Sequence, residues 1–121
     1  MKVVYFNMHA SNKGDDPRFP SPVSVSYLFL PELNVVLYRE NRTDTQDSPY
    51  SIREEGPMLD AAKLISEGEV PDWGSSVKFS DNKEFDYSSL ALLALVNLAR
   101  QKAGIDSQLS AGIEKILNDS P

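Results

Sequence analysis

The chain contains no cysteine, which removes disulfide staples, thiolate nucleophiles and cysteine-bearing zinc sites from consideration. It has a single histidine, His9, so any histidine-based acid–base mechanism has to run through that residue. Basic residues are also scarce. Twelve Lys and Arg stand against eighteen Asp and Glu, a net charge of −6, which argues against duplex nucleic acid as the main ligand, because its binders clamp phosphates with basic stripes. No apolar run is long: the strongest, residues 90–96, falls far short of the roughly 20 residues that span a bilayer. The six glycines are scattered. They form neither Gly-x-Gly-x-x-Gly nor a Lys-bearing phosphate loop, and no Gly-x-Ser-x-Gly is present, so nucleotide binding and an α/β-hydrolase nucleophile both lack a motif.

What remains is enough for a folded core. The 121 residues fit one domain, and 40% are hydrophobic with eleven aromatic rings among them, a composition outside that of disordered chains. The stretch Met1-Lys2-Val3-Val4-Tyr5-Phe6-Asn7 has no unbroken apolar region followed by a small-residue cleavage site, so the expected location is the cytosol. On that expectation the sequon Asn41-Arg42-Thr43 has no role.

Residues 2–9 alternate with period two, Val4, Phe6 and Met8 on one face and Val3, Tyr5, Asn7 and His9 on the other, the pattern of a strand. Residues 10–22, with Asn12, Gly14, Asp15, Asp16 and three prolines, read as a long loop. A hairpin follows: two β-rich runs, 23–30 and 35–39, joined by Pro31-Glu32-Leu33-Asn34. If Leu30 pairs with Val35, one face carries Tyr27, Phe29, Val36 and Tyr38 and the other Leu28, Leu30, Val35 and Leu37. Both are apolar, which predicts a sheet covered on both sides or one exposing an apolar patch.

Residues 52–55 read as a short strand or more loop. Pro57 then opens a helix to residue 67, with Met58, Ala61, Ala62 and Ile65 at helical spacing, closed by Gly68 and Pro71. Most of 69–86 reads as loop, with 77–79 a short strand. A second helix runs from 88 to 103, capped by Asp86, Ser88 or Ser89 and ended by Gly104. Its apolar residues Leu92, Leu93, Leu95, Val96 and Leu98 surround it, which predicts the most buried element of the molecule. A third helix, 107–118, carries the stripe Leu109, Ile113, Ile116 and Leu117. The fold expected is α+β: a small antiparallel sheet built from the hairpin 23–39 and strand 2–9, packed with three helices.

Charge is concentrated in the middle. Residues 1–39 carry +1 and 87–121 are neutral, whereas 40–60 hold Glu40, Asp44, Asp47, Glu54, Glu55 and Asp60 against Arg42 and Arg53, net −4. Residues 67–86 hold Glu67, Glu69, Asp72, Asp81, Glu84 and Asp86 against Lys78 and Lys83, again −4. The plain interpretation is solvated loops. The sharper one is an acidic surface for a basic partner, built from Asp44, Asp47, Glu54, Glu55 and Asp72, with the aromatics Tyr50 and Trp73 as anchors unless Trp73 packs on the core.

These features point to a cytosolic protein-binding module, an acidic inhibitor of the immunity-protein type that occludes the active site of a basic toxin enzyme such as a nuclease. It would need no cofactor and no metal; Asp15-Asp16-Pro17 does not continue as a calcium loop. Two alternatives come from other classes. One is a small hydrolase-like enzyme using His9 with Asp15 or Asp16. The other is a homo-oligomeric structural protein associating through Leu28, Leu30, Val35 and Leu37 or through the second helix.

Overall fold

A computed structural model of the chain describes residues 1–11, 22–41, 49–102 and 107–119. The described elements are β1 (Lys2–Ala10), β2 (Val23–Leu30), β3 (Val35–Glu40), β4 (Ser51–Arg53), α1 (Pro57–Ser66), β5 (Val77–Asp86), α2 (Ser89–Gln101) and α3 (Ser107–Asp119). The strands form one antiparallel sheet in the order β4-β3-β2-β1-β5. The protein is thus α+β, a small sheet packed with three helices. No described helix is long and apolar enough to cross a membrane.

The hairpin forms in the expected register, Leu30 opposite Val35 and Tyr27 opposite Tyr38. Its turn is closed by Leu33 N–H donating to the Leu30 carbonyl at 3.1 Å, and Asn34 adopts the left-handed backbone (φ 56°) that an asparagine tolerates better than most residues.

Both apolar faces are covered. On the first, Val3, Leu28, Leu30, Val35 and Leu37 pack under Leu92, Leu95, Val96 and Ala99 of α2 and Leu109 and Ile113 of α3. On the second, Val4, Phe6, Met8, Tyr27, Phe29 and Val36 pack under Leu59, Ala62 and Ile65 of α1. Helices on both sides explain why the strands read as continuous apolar runs. They also rule out the face Leu28, Leu30, Val35 and Leu37 as an association surface, since all four residues are buried within the fold.

Two further expectations are corrected. Residues 77–86 are one ten-residue strand rather than mostly loop. Ser80, Asp81, Asn82, Lys83 and Glu84 have low strand propensity, and an extra residue in β5 opposite the Tyr5–Asn7 step of β1 breaks the period of two. Pairing with β1 along one edge supplies what propensity does not, and the charged outer edge discourages pairing with another chain. The second correction concerns α2. The sheet, not this helix, is the most buried layer: Leu93 is 43% exposed and Leu90 81%. Because α2 lies on the surface of a single sheet face, only the stripe Leu92, Leu95, Val96 and Ala99 is needed for packing. Ser88 caps it, its hydroxyl accepting from the Ala91 N–H at 3.3 Å, and Lys102 ends it in the left-handed conformation; Gly104 lies outside the described residues.

One buried polar atom is anomalous. The Tyr27 hydroxyl has no hydrogen-bond partner among the described residues. Its ring is stacked on Phe6 at 4.8 Å. Burial pushes its pKa well above the usual tyrosine range, with nearby Tyr38 adding to the rise and Arg53 opposing it.

Candidate binding surfaces

The two acidic stretches sit largely at opposite edges of the sheet, since β4 and β5 are separated by three strands, about 19 Å at the usual interstrand spacing. What links them is α1. It starts just after β4 and ends beside β5, where the Asn82 side-chain amide donates to the Ile65 carbonyl at 3.5 Å. Its solvent side carries Asp60, Lys63 and Leu64, followed by Glu67, Glu69, Val70 and Asp72, all exposed.

The backbone of this segment is anchored. Glu69 N–H donates to the Leu64 carbonyl at 2.9 Å and Gly68 N–H to the Ile65 carbonyl at 3.0 Å, with Gly68 at φ 85°, a helix end that a residue with a side chain would strain. Pro71 is buried. Asp72 accepts from the Gly74 N–H at 3.1 Å, a local turn. Trp73 packs edge-on against Phe79, ring centroids 5.3 Å apart, and joins the core of the second face. Between these fixed points Val70 stands 77% exposed, and Leu64 is 36% exposed. The result is an apolar centre surrounded by carboxylates.

The remaining residues singled out from the sequence separate. Tyr50 is buried, 9% exposed, with the Arg39 guanidinium 4.7 Å above its ring, so it holds the fold together and offers little surface. Glu54 accepts from Arg100 of α2 at 2.6 Å, an exposed ion pair between β4's end and the helix. Glu55 is exposed. Asp44 and Asp47, like Asp15 and Asp16, lie outside the described residues, so neither the first part of the acidic surface nor a His9–carboxylate pair is assembled here. Among the described residues no group of three or more His, Asp and Glu is placed to hold a metal ion.

A second surface is absent from the sequence reading. On the face covered by α2 and α3, the register sets the strands in transverse rows. The rows Val3, Leu30, Val35 and Tyr5, Leu28, Leu37 are apolar; the next two are Ser80, Asn7, Ser26, Arg39 and Lys78, His9, Ser24, Asn41. β1, β2 and β3 change from apolar to polar at the same level, at the margin of α3, whereas β5 already carries Lys83 beside Tyr5. Arg39 marks the border, bridging to Glu114 of α3 at 3.7 Å.

Beyond it the side chains bond to one another. Ser26 Oγ lies 2.7 Å from Oδ1 of both Asn7 and Asn41, and Asn41 Nδ2 donates to Ser24 Oγ at 3.1 Å. A hydroxyl has one proton, so Ser26 can donate to only one of these oxygens at a time. A signal for this surface does exist in the sequence. Continuing the hairpin alternation two residues past Leu28 and Leu37 reaches Ser26 and Arg39, and the strand 2–9 reaches Asn7 and His9 at the same level.

Comparisons with protein-family models, with curated proteins and with solved structures find no match to this chain.

Proposed function

We propose that the protein is a binding module of the cytosol that acts by occlusion. In this reading it is an inhibitor of the immunity-protein type that covers the active site of a basic toxin enzyme such as a nuclease. The contact surface is the solvent side of α1 with residues 67–72.

The observation that carries the reading is Val70, an apolar side chain 77% exposed on a backbone pinned by Glu69 on one side and by buried Pro71 on the other. A pre-organised apolar contact loses little freedom on binding. Glu67, Glu69 and Asp72 beside it supply charge of the sign that a phosphate-binding cleft attracts, and such a field raises the encounter rate. No catalytic group or cofactor is required of this chain.

The test is a pull-down with the folded protein as bait, read by mass spectrometry, followed by assay of the captured protein. Wild type is expected to retain a basic enzyme and to suppress its activity. Val70→Asp is expected to speed dissociation, and the combined change Glu67→Lys, Glu69→Lys and Asp72→Lys to slow association at low salt. Equal capture and inhibition by wild type and both variants would remove α1 and residues 67–72 from the interface.

A further inference from the structure

The polar rows end in a cavity of about 620 Å³, within the size range of small-molecule sites. It lies at the end of the sheet where β1, β2 and β5 meet, and none of its described lining residues belongs to α1 or to residues 67–72, so it is separate from the surface proposed above. Its lining includes Lys78, His9, Ser24 and Asn41 of the last row, together with Ser11 and Ser76 one step further on.

The order of these groups follows from the register. His9 of β1 is flanked by its cross-strand neighbours Lys78 on β5 and Ser24 on β2, with Asn41 beyond Ser24. The two strands bring β1 and β5 into line here through the bonds that continue past the strand ends, Ser11 N–H donating to the Ser76 carbonyl at 2.8 Å. The four serine and asparagine side chains and the imidazole are therefore held on paired backbone, with the ammonium of Lys78 at one side.

The chemistry of this lining is one-sided. It offers a cation, an imidazole, four hydroxyls and an amide, and no carboxylate among the described residues, in a protein whose net charge is −6. Among the described residues no aromatic ring other than the imidazole lines it, so these residues offer no stacking surface of the kind a neutral sugar uses. A carboxylate has two oxygens to satisfy. A tetrahedral oxyanion has more, and several donors converging beside an ammonium suit it better.

We propose that this cavity binds a small phosphate monoester, with Lys78 supplying the charge and Ser24, Ser76 and His9 supplying hydrogen bonds to the phosphate oxygens, while Ser11, donating to the Ser76 carbonyl, and Asn41, donating to Ser24 and Asn7, hold the lining in place. Its ester group extends into the remainder of the cavity.

The test uses the whole chain, ¹⁵N-labelled, titrated with glycerol phosphate and, in separate arms, with inorganic phosphate, sulfate and acetate. Saturable amide shifts centred on residues 9–11, 24, 41 and 76–78 are expected with the monoester, with weaker binding of inorganic phosphate and sulfate and none of acetate. Lys78→Glu and Ser24→Asp each place a carboxylate in the cavity and are expected to weaken the monoester at least about tenfold, the loss of a charge-assisted contact. Lys115→Glu, exposed on α3 and absent from the cavity lining, is the control and is expected to leave it unchanged. Both cavity positions are solvent-accessible, and thermal melts of the variants establish that the fold persists. Absence of saturation at millimolar monoester, binding by Lys78→Glu equal to that of wild type, weakening by Lys115→Glu as large as that by Lys78→Glu, or shifts spread over all surface lysines would each overturn the proposal.

Discussion

The two ends of one sheet face are built from the same three strands and differ in a single respect, the presence of a roof. Under α2 and α3 the rows are Val3, Leu30, Val35 and Tyr5, Leu28, Leu37; at the margin of α3 the row is Asn7, Ser26, Arg39, and beyond it His9, Ser24, Asn41. The opposite face carries no such change along β1, where Val4, Phe6, Met8 and Ala10 are all buried. The composition of a strand face therefore follows what covers it, row by row, and a polar row on an otherwise apolar face marks where water, or a ligand, replaces a helix.

The largest test of this contrast lies in the roof itself. Leu95→Ala, buried against the sheet, is expected to cost about 2–5 kcal/mol, whereas Leu93→Ala two residues earlier on the solvent side is expected to cost under about 1 kcal/mol. Urea unfolding of both measures it; equal losses would show that α2 does not pack by a single stripe.

At the open end, Ser26→Ala removes the hydroxyl between Asn7 and Asn41. A loss of about 1 kcal/mol is expected by the same measurement. An unchanged midpoint would mean that the polar rows are solvated individually and that their mutual bonds contribute nothing.

The opposite face supplies the converse case, a polar atom under a roof. Tyr27→Phe deletes a buried hydroxyl without a described partner and is expected to be neutral or stabilising by up to about 1 kcal/mol. The pH dependence has a definite sign. Because burial raises the pKa of Tyr27 in the fold, its contribution to stability is complete below the ordinary tyrosine value of 10.0 and is lost as pH rises above it, when the unfolded chain releases a proton that the folded chain retains. Wild type is thus expected to lose stability more steeply than Tyr27→Phe above that pH. Parallel stability curves for the two would show that Tyr27 ionises freely in the fold.

The smallest effect is expected at His9→Val. With no helix above it, an apolar side chain there gains no burial, and stability is expected to move by less than about 0.5 kcal/mol in either direction. A clear stabilisation would reveal that this end of the sheet is covered after all.

The hairpin was legible because its signals are local: two β-rich runs, a four-residue turn and an asparagine at the position that turns left-handed. The apolar nature of both hairpin faces announced two covering layers in the same way. β5 was not legible, since Ser80 to Glu84 become a strand by pairing with β1 from the far end of the chain. For α2 the difficulty was of another kind. Leu90 and Leu93 are apolar yet exposed, and periodicity does not report how wide a helix face its partner covers.

The candidate surfaces show the same division. Glu67, Glu69 and Asp72 were identifiable by charge, and Trp73 and Tyr50 by residue type, but burial under Arg39 takes Tyr50 out of the surface while the fold of residues 69–74 brings Val70 into it. Composition and local pattern by themselves determined the fold class, the absence of cysteine chemistry, the hairpin with its register, and the acidity of the middle of the chain, because each depends on residues near one another in sequence. Tertiary structure alone decided that the acidic stretches are joined along α1, that Leu28, Leu30, Val35 and Leu37 are interior, and that His9, Ser24, Asn41 and Lys78 stand in one row. Those relations are set by which strands pair and where the helices end, and both depend on long-range packing that no local window contains.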